Sequence, residues 1–131
     1  MKKLNRFIIS LFAAASLCMA LSVTAFADSG KTVNTRGIVP VAYTQDYILW
    51  NCTPTQITTS DTYQKAGGLN FQNLGIQKMT TLSSATTWTF NCKNESTIGV
   101  NIGPLTLGPT IQIIDQVFVT STGGVTWRYN I

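Results

Sequence analysis

The sequence predicts an all-β fold: a small antiparallel β-sandwich or partly open barrel, stapled by one intramolecular disulfide. Three observations predict it. Residues 28–131 hold 19 Thr against three Ala and one Glu, a composition rich in β-branched residues and poor in helix formers. Short runs alternating apolar and polar residues recur between Gly, Pro and Asn turns, at the spacing expected of sandwiches. Finally, two runs end alike: Leu49-Trp50-Asn51-Cys52 and Thr89-Phe90-Asn91-Cys92 each close on aromatic, Asn and Cys.

Residues 1–27 have the form of a cleaved export signal. Lys2, Lys3 and Arg6 make a basic start, Phe7 to Leu21 an apolar stretch, and Ala25-Phe26-Ala27 a small-x-small cleavage site before Asp28. An uncleaved membrane anchor is the rival reading, but Ser10 and Ser16 interrupt a stretch already short of the ~20 residues that span a bilayer. Lipid attachment at Cys18 is disfavoured by Leu17, where a small residue is expected. The short Lys-Lys leader is of bacterial form, which predicts a secreted, extracellular bacterial protein with no membrane insertion after cleavage. Cleavage also changes the electrostatics. The formal charge of +4 includes the three leader cations, so residues 28–131 carry six basic and five acidic side chains, net +1. Nucleic acid is therefore not an expected partner.

Along the mature chain, the polar and aperiodic residues 28–37 read as a flexible leader, and 38–131 as a single β-domain. Ile38 to Thr53 is strand-like, with Pro40 marking an edge or a strand start. In its "YILWNC" segment, Ile48, Trp50 and Cys52 share one face, and Tyr47, Leu49 and Asn51 the other. Thr53-Pro54-Thr55 ends the run. Residues 55–85 are the least patterned part. A helical turn is expected from Asp61 and a weak strand around Leu69 and Phe71; a long loop here would be the natural seat of specificity. From Thr86 the alternation is clean, placing Trp88, Phe90 and Cys92 together. "KNEST" (93–97) reads as a turn, and Ile98, Val100 and Ile102 as a short strand ended by Gly103-Pro104. A hairpin closes the chain: residues 111–121, the turn Thr122-Gly123-Gly124, and 125–131, with Val125, Trp127, Tyr129 and Ile131 on one face.

After export only Cys52 and Cys92 remain, in a compartment that permits oxidation, so a disulfide between them is expected. A bridge closing about 41 residues is worth roughly 4 kcal/mol in the chain-entropy model. Both cysteines end their strands, so flush antiparallel hairpin partners would hold them apart. The two strands are expected to face one another from two sheets, to cross at a corner, or to overlap only at their tips.

The available chemistry is sparse. The chain has no histidine, which removes the usual general base and the commonest metal ligand. No catalytic residue, metal site or cofactor is predicted. Asp115 is anomalous, because it sits on the apolar parity of "IQIIDQVFV"; a bulge, a pairing with Arg128, or a functional role would each account for it. Trp50 and Trp88 read as core. Trp127, Arg128 and Tyr129, on the terminal strand, are the candidate binding residues. The expected function is that of a secreted, non-catalytic β-sandwich binding a cell-surface polymer or an extracellular protein. The alternative is a small secreted effector: an antimicrobial protein, toxin or enzyme inhibitor. A subunit of an extracellular fibre ranks third.

Overall fold

The structure, a computed structural model, describes residues 28–68 and 70–131. The export signal read in residues 1–27 lies outside the described residues, as does Leu69. The described strands are β1 (Asp28–Ile38), β2 (Ala42–Thr53), β3 (Gln56–Gly67), β4 (Phe71–Lys78), β5 (Thr87–Thr97), β6 (Val100–Ile102), β7 (Leu105–Leu107), β8 (Thr110–Thr120) and β9 (Val125–Arg128), with a 3-10 turn at Thr80–Leu82. One antiparallel sheet runs β1-β2-β3 and a second runs β4-β5-β8-β9. The ladders are separate and face one another, giving a sandwich-like arrangement. β6 and β7 continue the register of β5 and β8: Thr97 pairs with Thr110, Ile98 N donates to Pro109 O, and Val100 pairs with Leu107. The four strands thus make one long ribbon whose tip extends past the sheet.

Several segments differ from the sequence reading. Residues 28–37 are not a leader but most of β1, paired with β2 from Asp28↔Cys52 to Ile38↔Ala42. Alternation is present in β1 without hydrophobicity: Gly30, Thr32, Asn34 and Arg36 point inward. Gly30 lies against Trp50, where a Cβ would overlap the indole. The helical turn expected from Asp61 is part of β3, and "KNEST" belongs to β5, with Asn94 wholly buried. Most of the supposed long loop is therefore strand.

The interior is divided lengthwise. One half is apolar: Ile48, Trp50, Cys52 and Ile57 from the first sheet meet Phe90, Val117 and Val119 from the second. Partly buried Trp88, Ile76 and Trp127 flank this cluster, and Trp50 Nε1 donates to Thr120 O across the gap at 3.2 Å. The other half is polar. Asp115, fully buried, accepts from Arg36 Nη2 at 2.6 Å and Nε at 2.6 Å, from Asn34 Nδ2 at 2.9 Å and from the Asn130 amide at 3.1 Å. Asp46, also fully buried, accepts from Asn94 Nδ2 at 3.0 and 3.1 Å and from Gln64 Nε2 at 2.6 Å. Asp115 is thus neither turned outward by a bulge nor paired with Arg128. Its ladder is unbroken and its cation is Arg36 of the opposing sheet, not Arg128.

The expected disulfide is not formed: Cys52 and Cys92 are free, buried thiols. β2 and β5 do face each other from two sheets, but they run antiparallel across the gap. Asn94 meets Asp46, while the Trp50 end of β2 meets the Thr120 end of β8. Cys92, two residues before Asn94, therefore faces Ile48, and Cys52 lies four residues further along. At ~3.3 Å per residue the separation along the strand is about 13 Å, beyond the ~7 Å limit for a disulfide.

Two outcomes follow from this interior. Arg36→Ala leaves the Asp115 carboxylate enclosed without its cation and is expected to cost about 3–5 kcal/mol in urea unfolding; a loss under about 1 kcal/mol would show that the pair is dispensable. A reductant is expected to leave the melting temperature unchanged, and alkylation in denaturant without reductant to label both Cys52 and Cys92 by mass spectrometry.

Candidate functional site

With the even-numbered residues of β2 committed to the interior, the odd-numbered ones form the outer face of the three-stranded sheet. Tyr43, Gln45, Tyr47, Leu49 and Asn51 run along its centre. The register sets Tyr47 between Val33 of β1 and Tyr63 of β3, and Leu49 between Lys31 and Asp61. Tyr47 and Tyr63 stack with ring centroids 4.4 Å apart and planes 10° from parallel. Such a cross-strand pair is worth about 0.5–1.5 kcal/mol beyond the area it covers. Lys31 and Lys65 flank the stack diagonally, their Nζ atoms 5.5 and 5.2 Å from the Tyr47 ring centre. Tyr47 Oη donates to Gln45 Oε1 at 3.0 Å, and Gln45 Nε2 donates to Thr35 Oγ1 at 3.1 Å, which tethers the hydroxyl end. Further along, the Tyr43 ring lies over Gly67, its cross-strand partner; a Cβ there would meet the ring. The result is an aromatic row on the outer face of the sheet, with Tyr63 still 39 % exposed.

Beside the stack lies a depression of about 450 Å³, bordered by Ser29, Lys31, Leu49, Asn51, Thr59 and Asp61. Its rim supplies hydroxyls, a carboxamide, an ammonium and a carboxylate around an aliphatic floor. This combination suits a ligand with apolar ring faces and many hydrogen-bonding groups at its edges. Comparison with known protein families, with curated proteins and with solved structures finds no match. The site is therefore read from its own geometry.

The sequence-predicted trio does not form one surface. Trp127 is partly buried against the core and its Nε1 donates to Thr32 Oγ1 of β1 at 3.0 Å. Tyr129 stacks on Trp127 with centroids 6.3 Å apart and carries the Arg36 guanidinium 5.6 Å from its ring, while staying 56 % exposed. Arg128 lies on the opposite face, over Phe118 at 5.0 Å. Strand alternation separates it from its neighbours. The tyrosine row, by contrast, was only partly readable: Tyr47 falls on the outward parity of its run, but Tyr63 reaches it only through the β2–β3 register.

The buried polar cluster has catalytic residue types but no access. Burial raises the pKa of Asp46, with the Asp115 charge adding to the rise and the Gln64 and Asn94 amides opposing it. Burial, and then the Asp46 and Asp115 charges, push the Cys92 thiol up, the reverse of what a reactive thiolate needs. Arg36 is held more firmly protonated by its hydrogen bonds to Asp115, against the pull of its own desolvation. Among the described residues, no group of three His, Cys, Asp or Glu side chains is arranged to hold a metal ion.

The Asp46 shift has a measurable sign. A carboxyl whose folded pKa exceeds its unfolded value of about 4 binds its proton more tightly in the native state. Its stability contribution therefore falls as pH rises through that window. The stability of wild type relative to Asp46→Asn is expected to decline as pH rises above about 4 in chemical denaturation. A difference that is flat or rises with pH would show that Asp46 is stabilised as the charged form.

Proposed function

We propose that the chain is a secreted, non-catalytic β-sandwich domain that binds a cell-surface polymer through the outer face of β1, β2 and β3. The observation that carries this reading is the exposed Tyr47–Tyr63 stack, bordered by Lys31 and Lys65 and continued by the hydroxyl-lined depression. An aromatic row meets a repeating ligand along its length, and the polar rim orients it. The full enclosure of Asp46 and Asp115 supports a role without turnover, since neither carboxylate has an open side for a substrate.

The test is co-sedimentation of the purified protein with isolated bacterial envelopes. Tyr63→Ala removes the outer ring of the stack and is expected to weaken binding about tenfold, while Tyr129→Ala, on the other exposed aromatic, leaves it unchanged. If protease treatment of the envelopes abolishes the wild-type signal, the ligand is an extracellular protein instead. If wild type stays in the supernatant, polymer binding is wrong, and growth inhibition of neighbouring strains becomes the assay for a small secreted effector.

A further inference from the structure

Seven of the fourteen exposed large hydrophobic residues among the described ones lie at one end of the sandwich. The β5–β8 ribbon exposes Ile98 at 58 %, Ile102 at 61 %, Leu107 at 57 % and Ile111 at 47 %. The β1–β2 turn exposes Ile38 at 71 %, Val39 at 49 % and Val41 at 72 %. Both groups lie at the same end, because Phe71 pairs with Ser96 at the base of the ribbon and its ring lies beside Gly37 at the base of the turn. Neither segment carries charge: Ser96 to Ile114 and Gly37 to Gln45 contain no Asp, Glu, Lys or Arg.

The arrangement is one-sided. By alternation Ile98 and Ile111 continue the inward parity of Asn94 and Asp115, and the opposite parity holds Thr97, Gly99, Gly108 and Thr110. The ribbon is therefore an amphipathic arm, and on its apolar face Ile98, Ile102, Leu107 and Ile111 stay exposed. We infer that a second copy of this chain covers it, in a two-fold dimer where each β6–β7 arm packs its apolar face on the partner's β1–β2 turn.

Three features favour a second copy over other occupants. The contact is self-complementary, since it joins two uncharged apolar surfaces that the same chain supplies. The area is sufficient: the seven side chains expose roughly 400 Å² of apolar surface per copy. With apolar area near ~65 % of a homodimer interface, that corresponds to a total of about 1,200 Å², the lower bound for a specific complex. A bilayer fits less well, because the free edges of a two-stranded ribbon would be left unsatisfied in hydrocarbon.

The experiment is light scattering on the purified protein across a concentration series, with two single changes on exposed positions. The expected result is a dimer for wild type and a dissociation constant raised about a hundredfold or more by Ile102→Asp on the arm, and equally by Val41→Asp on the turn, with each variant melting at the temperature of wild type diluted below its dissociation constant. A wild type that is monomeric at every concentration overturns the inference, and so does a dimer that survives either change. Monomeric protein that co-sediments with neutral lipid vesicles also overturns it and assigns the apolar end to a membrane surface. None of these outcomes depends on Tyr63, so the dimer and the polymer-binding reading fail separately.

Discussion

Two enclosed carboxylates determine how the two sheets meet. An ionised group withdrawn from water must be matched by donors at fixed positions, and here the donors come largely from the facing sheet. Asp115 of β8 is met by Asn34 and Arg36 of β1, and Asp46 of β2 by Asn94 of β5. A slip of two residues would preserve the inward parity of every strand and much of the apolar contact, but it would strand both charges. The net contribution of such pairs to stability is modest, because desolvation offsets much of the attraction. They also bear on register, since a shifted packing leaves a buried charge without its donors.

This constraint explains features that otherwise look incidental. β1 has almost no hydrophobic character: Asn34 and Arg36 serve the polar half of the interior, while in the apolar half Gly30 leaves room for the Trp50 indole and Thr32 accepts from Trp127 Nε1. Gln64 joins the cluster from β3 and also accepts from the Gly75 amide of β4 at 2.7 Å, which ties the two sheets at their other margin. The same register holds Cys52 and Cys92 about four residues apart along the sandwich, so the thiols serve as small core residues rather than as a staple.

The outer face of the three-stranded sheet is what remains once the interior is satisfied. Its tyrosines and lysines have no packing role that demands them: Tyr47, Tyr63, Lys31 and Lys65 meet one another in the open. A stacked tyrosine pair between two lysines is the feature of this face that carries the functional reading. Trp127 drew attention in the sequence for the same residue chemistry, yet its indole N–H is engaged by Thr32 and its ring by the core.

Consecutive positions alone carry the all-β class and the inward faces of β2, β8 and the first half of β5. These are local properties: alternation with a period of two and turn residues between runs are written into consecutive positions. Wherever a strand's inner face is polar, the local signal vanishes, so β1, the second half of β5 and most of β3 passed for leader, turn and loop. The partner of Asp115, the separation of the cysteines and the joining of Tyr47 to Tyr63 were decided only by tertiary structure. Each is a relation between residues 16 to 81 positions apart, and a register between strands is fixed by the whole interior at once, not by any one run.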